Sequence, residues 1–317
     1  NANTKGYSRQ EAILAATTPF SRPGMGAGQV GTGVEVQRLR RVRESFLDAQ
    51  FRNETKALGR WEVRRDTIEK IEAILHEPTD QGLSKLIERF FSAWDELAHY
   101  PEGEAARSAV RQQGVTLVDA FNHLAAQLND LSADLSASIE VQVNQVNSLA
   151  RQIRDLNTQI VKAESGNMAA NDLRDRRDLL LDELAKLVPV QVEEDRFGAV
   201  SIVVGDHTLL AGNLVSELQY DKSTGAVTWP DGALYRSGTR PYGSLQGLLE
   251  ARDELVPMYR ARLDVLAREL AAAVNAQHEA GSGLAGSTGV PFFLPPNDVN
   301  AGNIRVNPAI LGDLSLI

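Results

Sequence analysis

The 317 residues contain no cysteine, so disulfides and thiolate chemistry are excluded and stability has to come from packing alone. No apolar run approaches the roughly 18 residues a membrane span needs, and no signal peptide is visible. Positive charge is in deficit: 33 Lys and Arg against 42 Asp and Glu leave a net charge of −9. That balance argues against nucleic acid as the main partner. Histidine is scarce as well. His76, His99, His123, His207 and His278 lie far apart, and none belongs to an H-E-x-x-H or similar ligand pair. Each reads as a surface or packing residue. No nucleophile–base pairing declares itself, so neither an enzyme, a metal site nor a cofactor is expected.

What is present is periodicity. The composition, 43% hydrophobic and 24% charged, is ordinary for a soluble globular protein, and the length allows about two domains. Residues 1–35 are Gly-rich and polar and predict an extended linker or a loose hairpin. From Glu35 to Glu77 the pattern is helical, with Val42, Phe46 and Ala49 on one stripe and Trp61, Ile68, Ile71 and Leu75 on another. Pro78 stops it, and Thr79 or Asp80 is placed to cap the next helix, which carries Leu83, Leu86, Ile87, Phe90, Phe91, Trp94 and Leu97.

The third helix is the main structural signal. Val110, Gly114, Leu117, Phe121, Leu124, Leu128, Leu131 and Leu135 alternate steps of four and three, and the seam resumes with Gln142, Val146, Leu149, Ile153, Leu156 and Ile160. No proline falls between Glu104 and Ser165, so the helix would be about 90 Å long and would need partner helices. A shorter helix, Asn171 to Leu187, ends at Pro189. The period then becomes two: VPVQVEE, GAVSIVVG, HTLLAG, LVSELQYD, GAVTWP and GALYRSG are short strand candidates. Helical spacing returns from Leu248 to His278, with Pro257 near its start expected to kink it or begin its straight part. GSGLAGSTGVPFFLPPNDVN reads as loop, and NIRVNPAILGDLSLI as a strand followed by a first helical turn.

The fold class is therefore mainly α with a β module (α+β): an elongated helical rod or coiled-coil bundle with a small antiparallel β domain inserted between helices. The expected organisation is an extended linker over 1–35, a helical rod over 36–188, a β domain over 189–243, and over 244–317 a helix returning to the rod plus the start of a C-terminal segment. Both ends look cut.

Three charged or Gly-rich stretches are candidates for chemistry. Gly26 to Gly31 matches G-x-G-x-x-G but neither follows a strand nor opens a helix, so it reads as a connector. Arg38, Arg40, Arg41 and Arg43 form a basic cluster; a phosphate-binding face is weighed against a solvated helix face or inter-subunit ion pairs, which the acidic total favours. Asp172, Asp175, Asp178 and Asp182 recur at helical spacing among Arg174, Arg176 and Arg177. Interleaved charges on an exposed helix are the reading preferred over acid–base work.

NANTKGYSRQ resembles the N-terminal signature of the flagellar axial proteins, the rod, hook and hook-associated proteins. Its Gly-Tyr-Ser-Arg-Gln variant, followed by GTGVEVQRLRRVRESFLDAQFR, is similar to the hook-associated protein 1 family. FFSAWDELAHYPEGEAARSAV resembles that family's second helix and turn, with Tyr100 where the family usually has Asn before the Pro. NDLRDRRDLLLDELAKLVPVQV, the 243–293 segment and NIRVNPAILGDLSLI resemble their counterparts in order, with Asn275, His278, Gly281, Gly286, Gly289, Phe292 and Phe293 at matching places. The β module fits only by position.

The resemblance implies a structural subunit joining hook to filament. It would be exported by the flagellar type III system without a cleaved signal and be extracellular. Its implied partners are identical subunits in the junction ring, hook protein and the second hook-associated junction protein. An export chaperone would act through a C-terminal region outside this chain. No nucleic acid and no membrane are implied. Asn1, Asn3, Thr4, Gly6, Tyr7, Ser8 and Arg9 are the candidate subunit-contact residues. The alternatives are a coiled-coil adaptor or scaffold with a β binding module, or another axial protein such as hook protein or the second junction protein.

Overall fold

The computed structural model describes residues 4–19, 31–75, 82–166, 169–235 and 243–317. In chain order the elements are β1 (Gln10–Ala16), β2 (Val34–Arg41), α1 (Ser45–Leu75), α2 (Leu83–His99), α3 (Glu104–Glu164) and α4 (Asn171–Leu187). Short strands β3 (Val190–Glu194), β4 (Val200–Val204), β5 (His207–Ala211), β6 (Leu214–Val215), β7 (Gln219–Tyr220) and β8 (Val227–Thr228) follow. Then come α5 (Ser244–Glu250), a π-helical turn, α6 (Val256–Ala280), β9 (Phe293–Leu294), β10 (Arg305–Val306) and α7 (Pro308–Gly312). The α+β class holds. The chain forms two compact units, Asn1–Glu62 with Ile139–Gly247, and Val63–Ser138 with Leu248–Ile317.

In the first unit, β1 and β2 form an antiparallel ribbon with a bulge at Ile13/Leu14. This corrects the helical reading from Glu35. The run Val34-Glu35-Val36-Gln37-Arg38-Leu39-Arg40 alternates apolar and polar residues over most of its length, and its β-branched valines favour the strand once β1 offers a ladder. Helix begins only at Ser45. Val42 and Phe46, expected on an inward stripe, are exposed.

Strands β3, β4, β5 and β6 make an antiparallel meander, and β7 pairs with β8. In β4 the alternate residues Val200, Ile202 and Val204 are buried, the period-two signature of a sheet with one face covered. The sheet is fastened to α3 by side-chain amides. Asn157 Nδ2 donates to the Val200 carbonyl at 2.8 Å, and its Oδ1 accepts from the Val200 N–H at 3.2 Å. Asn147 treats Leu218 in the same way, at 2.8 and 2.9 Å. Each asparagine completes a backbone ladder that the sheet leaves open. The α3 seam accordingly turns inward at Asn157, while Leu156, expected there, is half-buried.

The second unit is an apolar core of α2, the first part of α3, α6 and the C-terminal strands. Phe90, Phe121, Phe292 and Phe293 are all fully buried. Phe292 and Phe293 meet edge-to-face with centroids 4.9 Å apart, and Phe90 lies 5.7 and 5.6 Å from them. Gly114 makes room for this cluster, since a Cβ there would stand 2.8 Å from Phe292 Cε1. Asn275 Nδ2 donates to the Phe293 carbonyl at 2.8 Å and its Oδ1 accepts from the Phe293 N–H at 2.7 Å. The segment expected to be loop therefore carries core residues. The cap expected at Thr79 or Asp80 lies outside the described residues, and Gly82 occupies the N-cap of α2. Pro257 stands just after the π turn Ala251–Leu255. A proline crowds the carbonyl four residues earlier, and the wider turn absorbs that clash.

Candidate functional site

The candidate site is the place where the N-terminal segment meets α4. The interleaved charges of α4 are not a solvated face. Asp175 is 6%, Arg177 1% and Asp178 9% exposed. Asp175 and Asp178 face Ser8 of the N-terminal segment, Arg41 at the base of the β1–β2 ribbon and Arg52 of α1, whereas Arg177 faces α3 and the β3–β4 turn.

The chain first turns at Thr4–Tyr7, where the Tyr7 N–H donates to the Thr4 carbonyl at 3.1 Å. Gly6 sits in that turn with φ +83°, a conformation glycine reaches without strain. A Cβ there would approach Leu179 Cβ to 3.1 Å, so Gly6 also packs against α4. Ser8 is the anchor. Its N–H donates to Asp175 Oδ2 at 3.0 Å, and its Oγ–H to Asp175 Oδ1 at 2.6 Å. Lys5 reaches Glu183 at 3.4 Å across solvent. The Arg9 carbonyl accepts from the Val42 N–H at 2.8 Å, which ties the segment to the end of the ribbon.

Behind Ser8 lies a network of arginines and aspartates. Arg41 Nε stands 2.8 Å from Asp175, and Arg41 Nη2 donates to Asp178. Arg43 Nε donates to Asp48 at 2.7 Å, and its Nη atoms stand 3.4 Å from Asp178 and from Asp182. Arg52 Nε donates to Asp182 at 2.8 Å. Burial opposes the charge of Arg43, but the hydrogen bond to Asp48 and the fields of Asp178, Asp48 and Asp182 outweigh it and raise its pKa. Burial pushes the Asp182 carboxyl up, against the pull of Arg52 and Arg43. In this geometry the Ser8 hydroxyl donates to the buried Asp175 carboxylate, and Arg41, Arg43 and Arg52 are engaged by Asp175, Asp178, Asp48 and Asp182. It is an internal clamp, and it corrects both charge readings: Arg41 and Arg43 bind carboxylates of their own chain, from a ribbon and its exit rather than a helix face.

A second group continues along α4. Arg174 grips Glu164 through Nε at 2.6 Å and Nη2 at 2.8 Å, and reaches Glu194 at 2.5 Å. The hydrogen bond from Arg174 holds the Glu164 carboxyl below its ordinary value. Arg177 donates through Nη1 to the Gly198 carbonyl and through Nη2 to Glu194 at 3.1 Å, and its burial lowers its pKa.

Of the candidate contact residues, Asn1 and Asn3 lie outside the described residues, as does most of the Gly26–Gly31 connector. Thr4, Tyr7 and Arg9 are exposed, whereas Gly6 and Ser8 are turned toward α4. Sequence reasoning missed the asparagine clamps and the arginine network. The available signal was that Asp175, Asp178 and Asp182 share one helical face. Two histidines are packing residues: His207 stacks on Trp229 at 5.0 Å, and His278 meets Trp94 edge-on at 5.9 Å. Among the described residues no group of three His, Asp or Glu side chains could hold a metal ion. No described helix is long and apolar enough to cross a membrane.

Comparison with known proteins gives this geometry a lineage. A family model of the helical domain of flagellar hook-associated protein FlgK matches residues 68–293. The chain is 32% identical to flagellar hook-associated protein 1 of Bacillus subtilis, over 98% of this chain and 69% of that protein. It is 31% identical to the protein of the same name from Salmonella typhimurium, over 92% of this chain and 54% of that one. The structure of the flagellar hook junction protein FlgK from Burkholderia pseudomallei superposes with a TM-score of 0.66 at 24% identity, covering 78% of this chain and 46% of that one, which is a likeness of fold. On the extent of the family-model match and the identity to the Bacillus relative, the chain belongs to the flagellar hook-associated protein 1 (FlgK) family.

Proposed function

We propose that the chain is the structural part of a hook–filament junction subunit, exported through the flagellar type III channel and assembled outside the cell against identical neighbours. The observation that carries the reading is the identity to hook-associated protein 1 along 98% of the chain. The docked N-terminal segment supports it mechanically. A subunit that transmits torque needs a defined angle where its chain enters the folded body, and Ser8, Arg41 and Asp175 fix that angle. The subunit would meet hook protein on one side and the second junction protein on the other, with a chaperone guarding it before export. It works by shape rather than by catalysis, which suits a site whose buried arginines and aspartates pair with one another. Tyr7 and Arg9, exposed beside the clamp, are the residues of the N-terminal segment best placed to touch a neighbour. Family membership favours this reading over a free-standing adaptor.

The test is deletion of the gene and complementation with the full-length chain carrying an exposed epitope. Hooks without attached filaments in the deletion strain, and label confined to one band between hook and filament on complementation, are the expected results. Normal filaments in the deletion strain would reject the junction role.

A further inference from the structure

The first unit exposes more large apolar surface than a free-standing body tolerates. On α1, Leu47, Phe51, Leu58 and Trp61 are each more than half exposed. Their steps of four, seven and three put them on one outward stripe, with Glu54 between. Four such side chains present on the order of 500 Å², the size at which an apolar patch marks an interaction surface. The ribbon adds to it: Leu14 pairs with Val36, and Ala12 with Leu39, on one exposed face. A two-stranded ribbon is marginal on its own, so that face also needs cover. The two surfaces follow one another along the chain through Val42 and Phe46, both exposed. Together they approach the roughly 800 Å² that one partner contributes to a standard interface.

The rest of the chain indicates what fits there. The outward face of α3 in the second unit carries Ala126, Ala133 and Ala137, all exposed and small. Asp130 and Asp134 stand between them and Asp119 two turns before, none with a cation partner among the described residues. No Lys or Arg occurs from Gln112 through Ala150. The opposite charge sits beside the apolar surface: Arg9 and Arg38 are exposed and have no ion pair among the described residues. Large side chains facing small ones let two helices approach closely, and arginines facing aspartates set the orientation.

We infer that the α1 stripe and ribbon of one copy dock on the Ala126–Ala137 face of α3 of a second copy. This rests on the proposed ring of identical neighbours. The contact is heterologous, two different faces meeting, so it repeats around a ring; a stripe-to-stripe pair would close on itself after two copies.

These 317 residues contain no cysteine, so introduced cysteines report contacts against a baseline set by the parent full-length protein oxidised in parallel. Phe51→Cys, Ala133→Cys and the double variant are made in the full-length protein, in cells assembling flagella, and mildly oxidised. The expected result is monomer from either single variant and a ladder of two, three and more copies from the double. Dimers from Phe51→Cys alone, or no ladder from the double while filaments attach normally, would overturn the inference. Ala133→Trp gives a second readout. Position 133 is exposed, so melting should stay as in wild type, while filament attachment drops roughly tenfold or more, as blocking a central contact does. The exported variant should then collect in the medium as monomer. Unchanged attachment would refute the docking face and leave the junction function standing. Wild-type label absent from the hook–filament boundary would instead strike the function itself, and the inference with it.

Discussion

Two segments of this molecule are docked on helices by opposite chemistry. In the second unit, the stretch ending in Phe292 and Phe293 is held by aromatic burial, with Phe90 and Trp94 closing over it. In the first unit, Thr4–Arg9 is held on α4 by one carboxylate, Asp175, backed by Arg41, Asp178 and Arg43. Burying an aromatic side chain is favourable at any pH and salt. A buried ion network gains little net energy over apolar packing, but is costly to break on one side. The aromatic dock therefore supplies stability, while the charged dock supplies a fixed geometry that depends on every partner being present.

The comparison predicts the largest loss for Phe292→Ala. The ring is fully buried and touches Phe90, Trp94, His278 and Phe293. Its removal should cost about 3–5 kcal/mol and lower the melting temperature of the second unit. Denaturant unfolding followed by Trp94 fluorescence measures it. A loss below about 1 kcal/mol would mean that the neighbouring rings collapse into the space and that the aromatic dock is not rigid.

Next in size is Asp178→Ala. The carboxylate stands among Arg41, Arg43 and Arg52, with about 12% of its side chain exposed. Leaving these guanidinium groups uncompensated should cost toward the lower end of the ~3–5 kcal/mol measured for buried pairs. The loss should be local. Limited proteolysis would cut between Thr4 and Arg43 while the second unit melts unchanged. If the two units lose stability together, the clamp is not confined to the N-terminal dock.

Why the aromatic core was half legible and the clamp was not follows from what a sequence encodes. Phe90, Val110, Leu117, Phe121 and Leu128 repeat at helical spacing, and a burial pattern of that kind is periodic. Phe292 and Phe293 stand among Gly and Pro residues with no period, so the loop reading passed over two of the best-buried rings. Asp175, Asp178 and Arg177 look like solvated surface until a partner of opposite charge, more than 130 residues away for Arg41 and Asp178, is brought against them. Asn147 and Asn157 are invisible for the same reason, because their partners are backbone groups of a sheet. The helices from Glu104 and from Asn171 needed only local information, whereas β2 required its neighbour β1 to override an apparent helical stripe.

A smaller effect is expected at Gly6, and it sharpens the contrast between stability and geometry. Gly6→Val puts a β-branched residue at φ +83°, a strain of about 1–2 kcal/mol, with its Cβ pressed on Leu179 at 3.1 Å. The segment should leave α4 rather than bend the helix. Melting of the purified protein should change little, while filament attachment in cells falls. Normal attachment would show that the entry angle of the chain does not matter to assembly.

The smallest effect distinguishes the charged contacts by pH. Glu164 and Arg174 form a two-pronged pair at 2.6 and 2.8 Å, partly open to solvent. The hydrogen bond from Arg174 holds the Glu164 carboxyl below the ordinary 4.5. Between the folded and the unfolded values, the unfolded chain binds the extra proton, so stability rises with pH there. The pair's contribution is full above about pH 4.5 and is lost as the pH falls through the folded value. Asp182 has the opposite sign. Its folded value is raised by burial, so the cost of its charge appears as the pH rises and is relieved in acid. Glu164→Gln should therefore cost about 0.5–1 kcal/mol at neutral pH, the range for a partly exposed pair. The cost should shrink as the pH falls below about 4.5, where the unfolded chain takes up its proton first. Urea midpoints at pH 7, 5 and 3 are the measurement. A difference that does not shrink between pH 5 and pH 3 would mean that Glu164 acts through its shape and neutral hydrogen bonds, and that the charged character of the first unit stops at the Asp175–Asp178–Asp182 face.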